Sequence, residues 1–192
     1  MNRFLVLGFM IYIFYSCRTK NDDDSKVSIE YIKQAQIFIT QVKKSQLDDK
    51  QFILESNVRT IDNNDCLKEV LLDTLTFSRQ ERDYISGEAK KPTIQSWTNE
   101  IFPNIKIVSS DTIRKIFKDY SKEHSKGWDY FYSHIGKSAD GFSSPIFYKN
   151  YTYCLFYSDH YCGFLCAEGS LTLYKKEGNK WIEVKSFCNW AS

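Results

Sequence analysis

At 192 residues, with 42% hydrophobic and 26% charged residues, the chain is long enough to bury one substantial core and short for two independent domains. Its formal net charge is +2, and lysines alternate with acids along the sequence without gathering into a basic stripe, which argues against nucleic-acid binding. No internal repeat or low-complexity tract is present, so a solenoid or a largely unfolded chain is not expected.

Residues 1–16 have the order of a signal segment. Arg3 supplies the positive start, Phe4 to Phe14 is an apolar run too short to span a bilayer, and the small Ser16 stands where cleavage would fall, before Cys17. This order resembles the signal of bacterial lipoproteins. The resemblance implies that Cys17 becomes a lipidated N-terminus carrying diacylglycerol and an N-acyl chain. At about 0.8 kcal/mol per buried CH₂, several chains hold a protein on a bilayer where one binds only marginally. The implied location is the cell envelope, at the periplasmic or surface face of the outer membrane. Residues 17–27 are polar and charged with no apolar face, and are expected to form an acidic flexible tether. Lys20 followed by Asp22-Asp23-Asp24 also resembles the export signal of some Bacteroidetes lipoproteins.

From Ser28 the apolar residues Ile29, Ile32, Ala35, Ile39 and Val42 recur at helical spacing, with Lys43-Lys44 at the end. Phe52-Ile53-Leu54 and Val58 to Ile61 suit a strand or irregular packing, closed by the turn residues 62–65. Asp65 can cap a helix carrying Leu67, Val70, Leu71 and Leu75. Ser78 and Glu81 have the spacing of a capping box, with Gly87 and Pro92 ending the helix it opens. A helical turn is expected around Trp97. Ser110 or Asp111 caps a helix with Ile113, Ile116, Phe117 and Tyr120 on one face; Gly127 breaks the pattern and Trp128, Phe131, Tyr132 and Ile135 resume it.

After Gly136 the apolar period changes to two. Ser144 to Tyr148 and Thr152 to Ser158 flank Lys149-Asn150, while Leu171 to Lys175 and Trp181 to Phe187 flank Glu177-Gly178-Asn179, so two antiparallel hairpins are expected. Residues 28–192 then form one α+β domain, mainly helical over 28–135 and mainly strands over 136–192. In it a helix-rich N-terminal half packs on a C-terminal antiparallel sheet built from two hairpins. The chain is 16% aromatic, and the rings fall mostly in the last third, where they suit a half-buried sheet surface or an exposed binding face.

The one dense group of reactive side chains is Cys154, Asp159, His160, Cys162 and Cys166, with Glu168 behind it. Three thiolates and an imidazole could hold zinc, although the spacing C-x7-C-x3-C is not a familiar zinc pattern, and no metal ligand set or cofactor is assigned. A Cys–His nucleophile needs the imidazole at the sulfur. On an extended strand His160 and Cys162 share a face but stand nearly 7 Å apart, at roughly 3.3 Å per residue, and Asp159 lies on the opposite face. No GxSxG, HExxH or P-loop occurs, so no catalytic residue is assigned.

An envelope protein matures outside the reducing cytosol, so oxidised or buried cysteines are the leading expectation. Cys162 with Cys166, across Gly163, and Cys154 with Cys188, on strands that could be neighbours, are the candidate disulfides. Cys66, on a helix beside Leu67, is the candidate inert buried thiol. His124 sits among charged residues, and His134 follows an aromatic helix face; neither points to chemistry.

The C-terminal part carries Trp128-x-x-Phe131, Phe142-Ser143-Ser144-Pro145-Ile146-Phe147, Tyr161-Cys162-Gly163-Phe164-Leu165-Cys166-Ala167-Glu168-Gly169, Gly178-Asn179-Lys180-Trp181 and Trp190-Ala191-Ser192. In this layout it resembles a group of bacterial envelope proteins that carries no established activity to transfer. The expectation for function is a lipid-anchored envelope protein with a binding or structural role, its partner a membrane through the anchor and an envelope protein or glycan beyond it. The alternative is a metal- or thiol-dependent enzyme using the Cys154 to Glu168 region.

Overall fold

Helix-forming spacing and β-branched alternation meet in one mixed sheet with helices on both of its faces. The computed structural model of the protein describes residues 21–61 and 65–192. Residues 1–16, Cys17 and the first part of the expected tether lie outside the described residues, as do Asp62, Asn63 and Asn64.

Helix α1 is Asn21–Val42 and the short α2 is Lys44–Leu47; β1 is Ile53–Glu55, α3 is Asp65–Leu72 and α4 is Arg79–Lys90. Strand β2, Lys106–Val108, precedes α5, Ser110–Asp119, and α6, His124–His134. The remaining strands are β3, Ala139–Phe142; β4, Ile146–Tyr148; β5, Tyr153–Gly163; β6, Cys166–Glu177; and β7, Lys180–Ala191.

The domain is α+β, but its sheet corrects the expectation of a C-terminal antiparallel sheet. Strand order is β2-β1-β3-β5-β6-β7, with β4 also on β5, and β1 pairs in parallel with both β2 and β3. The antiparallel part is β3 to β7, with turns at Lys149–Thr152, Phe164–Leu165 and Gly178–Asn179. Strands β3 and β4 lie end to end along the same side of β5, interrupted at Ser143-Ser144-Pro145, where proline cannot donate to a ladder. Ser143 mends the gap: its N–H donates to Tyr157 O at 2.9 Å and its Oγ accepts from Tyr157 N at 2.9 Å.

One face of the sheet lies under α1. Phe38 meets the rings of Phe147, Phe156, Tyr174 and Trp181 edge-on, with centroids 5.1–5.7 Å apart. The segment around Trp97 covers the same face beside it, and Trp97 Nε1 donates to Phe142 O at 3.0 Å. The other face carries two cores. Leu155, Leu171, Leu173 and Phe187 pack on α3 and α4, while Ile53, Val108 and Ala139 pack on α5 and α6. Helices α5 and α6 follow the chain midpoint, so helices are not confined to the N-terminal half.

Other local expectations also change. Residues 21–27 of the expected tether are helical. Helix α3 stops at Leu72 and leaves Leu75 exposed. Helix α4 opens with the capping box of Ser78 and Glu81 but runs through Gly87 to Lys90, yielding only at Pro92. Ser96 forms a bridge to Asn57, and the expected helical turn follows Trp97, with Thr98 O accepting from Ile101 N and Phe102 N at 3.0 Å. Ser109 caps α5, accepting from Asp111 N. Gly127 lies inside α6, not between two helices: a Cβ there would stand 3.1 Å from Phe117, so glycine lets α5 approach.

Candidate functional site

On the α1 face the sheet changes from aromatic to polar along each strand. Phe142 gives way to Asp140 on β3, Phe156 to Ser158 and His160 on β5, and Tyr174 to Thr172, Ser170 and Glu168 on β6, all at period-two spacing. Helix α1 covers the aromatic end and stops at Val42, so the polar end stays open. The result is a cavity of about 640 Å³, lined by Lys43 and Gln46 beyond the helix and by Asp140, Ser158, His160, Glu168, Ser170 and Asn189 on the sheet.

Asp140, His160 and Glu168 stand opposite one another on three adjacent strands. His160 Nδ1 lies 3.1 Å from Asp140 Oδ1. With Asp140 ionised the carboxylate can only accept, so Nδ1 carries the proton and donates. Asp140 is 4% exposed, and its Oδ2 is buried with no hydrogen-bond partner among the described residues. Burial raises the Asp140 pKa above the usual carboxylate range, against the opposing pull of His160 and Lys43. Lys43 is half-buried and makes no ion pair among the described residues; burial lowers its pKa, although Asp140, Glu168 and Glu183 favour its charge. An unpaired ammonium and an unpaired carboxylate oxygen thus share one cavity.

A row of neutral polar groups joins two of its lining residues, Ser170 and Asn189. Ser170 Oγ and Thr172 Oγ1 are 3.2 Å apart, Thr172 Oγ1 and Ser186 Oγ are 3.2 Å apart, and Ser186 Oγ donates to Asn189 Oδ1 at 2.7 Å.

The opposite face of the same strands carries a closed ion network. Arg59 Nε donates to Asp159 Oδ2 at 2.9 Å, and Arg59 Nη2 lies 2.6 Å from Glu55 Oε2. Burial pushes the Asp159 carboxyl up to about 6 despite Arg59. Burial works against the Arg59 charge, but Asp159 and Glu55 outweigh it and raise its pKa.

The group of residues singled out in the sequence is therefore divided. His160 and Glu168 enter the cavity, while Asp159 turns to the other face and binds Arg59. Cys162 and Cys166 are joined by a disulfide, Cα–Cα 5.1 Å, across the β5–β6 turn. Cys188 is joined not to Cys154 but to Cys66, Cα–Cα 4.9 Å, tying α3 to β7. This corrects both the expected Cys154–Cys188 bridge and the inert Cys66 thiol. On β5, Cys154 points to the α1 face among Phe38, Phe147 and Phe156, whereas Cys188 belongs with the core of the opposite face. Cys154 is the free, fully buried thiol among the described residues, and burial raises its pKa well above the ordinary value.

Asp140 escapes a sequence reading because its partner lies 20 residues away on another strand. The available signal is an aspartate, a residue depleted in strands, between Ala139 and Phe142. Among the described residues no three His, Cys, Asp or Glu side chains converge to hold a metal ion, and no helix is long and apolar enough to cross a membrane. No family model, no curated protein and no solved structure matches this chain.

Proposed function

We propose that this chain is a lipid-anchored protein of the bacterial cell envelope, held by acylated Cys17 at the outer membrane, and that its domain binds a small polyhydroxylated ligand, a saccharide, in the Asp140–His160–Glu168 cavity. The observation that carries the ligand assignment is the buried, unpartnered Oδ2 of Asp140. An acceptor desolvated without a partner costs about 1–3 kcal/mol, which a donor on a ligand would recover. Sugar hydroxyls both donate and accept. They suit the carboxylates of Asp140 and Glu168, the ammonium of Lys43 and the neutral row from Ser170 to Asn189 together, where a lone cation would leave Lys43 unpaired.

The thiol-enzyme alternative has little to stand on. Cys162 and Cys166 are tied to each other and Cys154 is sealed in the core without a neighbouring base. The anchor rests on the Arg3 to Cys17 pattern.

Two measurements test the proposal. Intact mass of membrane-extracted protein should show a chain starting at Cys17 with acyl groups; a chain starting at Met1 with an unmodified Cys17 removes the anchor. Calorimetric titration with glucose, glucosamine and N-acetylglucosamine should show saturable binding that Asp140→Ala abolishes. Binding left unchanged by that substitution, or absent throughout, removes the ligand assignment.

A further inference from the structure

A second cavity, of about 580 Å³, lies on the far side of α1 between α4 and the β4–β5 turn. The residues that line it include Tyr31, Tyr84, Phe147 and Tyr151, with Glu88 among them. Each ring is fixed. Tyr84 Oη donates to Phe147 O at 2.9 Å, and Tyr31 Oη bonds Ser144 Oγ at 2.6 Å. The Tyr151 ring lies 5.1 Å from that of Phe147. Tyr151 is placed by an unusual turn, in which Lys149, Asn150 and Tyr151 all have left-handed backbone, φ 50°, 54° and 58°. Side chains rarely adopt this conformation, so three in succession hold Tyr151 at the rim at a cost in local stability.

The charges divide unequally. Lys149 Nζ pairs with Glu81 Oε1 at 2.7 Å and sits 4.8 Å from the Tyr153 ring centroid, so that ammonium is already neutralised and stacked on an aromatic face. The Glu88 carboxylate has no hydrogen bond and no ion pair among the described residues. Burial raises the pKa of both Tyr31 and Tyr84, and the charge of Glu88, which lines the same cavity, adds to the rise.

We propose that this cavity is a binding site for an alkylammonium group, specifically a small quaternary ammonium. Electron-rich ring faces attract a cation that needs no hydrogen bonds, and one unpaired carboxylate supplies the counter-charge. A primary ammonium would ask for three acceptors, and among the lining carboxylates Glu88 is the one without an ion pair.

The experiment titrates choline, and its uncharged isostere 3,3-dimethylbutan-1-ol, into the full chain by calorimetry. Choline should bind and the isostere should bind at least about tenfold more weakly. Glu88→Gln should weaken choline by about tenfold or more, with an unchanged circular dichroism spectrum, whereas Tyr84→Phe, which keeps the ring, should retain binding. Asp140→Ala, in the other cavity, should leave choline affinity unchanged, so the two sites stand or fall separately. No choline binding, equal affinity for the isostere, or indifference to Glu88→Gln in a folded protein would overturn the assignment.

Discussion

Gly141 is the seat of Arg59: a Cβ at position 141 would overlap Arg59 Nε and Asp159 Oδ1, so the guanidinium can lie on β3 only because no side chain is there. The neighbouring residue, Asp140, faces the opposite cavity. One two-residue step of β3 therefore supports the buried ion network on one side and the proposed saccharide site on the other.

Gly141→Ala should force Arg59 off Asp159. Breaking a buried charge pair costs about 3–5 kcal/mol, and a loss of that order in unfolding free energy is expected, read as a lower urea midpoint at unchanged m-value. Gly87→Ala is the matching control. A Cβ at Gly87 meets nothing within 4 Å, and the position lies inside α4, so the substitution should stabilise by about 0.5–1 kcal/mol. Equal effects from the two glycines would show that the Arg59 seat is not what position 141 provides.

The two disulfides should contribute unequally. Loop-closure entropy gives about 5 kcal/mol for Cys66–Cys188, separated by 122 residues, and about 2 kcal/mol for Cys162–Cys166, separated by 4. The double substitution Cys66→Ala with Cys188→Ala should lower Tm by roughly 10–20 °C, and the corresponding Cys162 and Cys166 pair by much less. The reverse order in calorimetry would refute the assignment of the long bridge as the main staple.

Native protein should resist thiol reagents at Cys154, which is 0% exposed, and yield that thiol on denaturation. Ellman titration without reductant reads this directly. More than one thiol released from residues 21–192 would mean that a disulfide is absent.

The parts of this fold visible in the sequence are those set by neighbours along the chain. Ser78 and Glu81 announce their helix because a capping box is complete within four residues, and the Gly178–Asn179 turn is legible because glycine supplies the left-handed φ of 61°. Strands β1 and β2 are three residues each and pair in parallel across 53 positions, too short for a period to register and too distant for a turn to mark. The same holds for function. His160 is conspicuous in the sequence, but its partner Asp140 becomes evident only once β3 is laid beside β5, and Cys66 looks like an ordinary helix residue until α3 is docked on β7.

The buried acids set the pH dependence of stability. Asp140 and Asp159 both have folded pKa values above the unfolded 3.8, so between 3.8 and the raised values the folded state holds more protons than the unfolded one. Stability should therefore fall as pH rises through that window. For Asp159 the rise from 3.8 to about 6, at about 1.4 kcal/mol per tenfold change in proton affinity, corresponds to about 3 kcal/mol. Asp140→Asn removes one of the two contributions while keeping a group that can bond His160. Its urea stability should exceed that of the parent at pH 7 and should approach it as pH falls well below 3.8, where the parent's Asp140 is protonated in both states. A variant less stable than the parent at pH 7 would show that the Asp140 charge is already compensated within the fold, which would also take away the reason for a ligand to bind there.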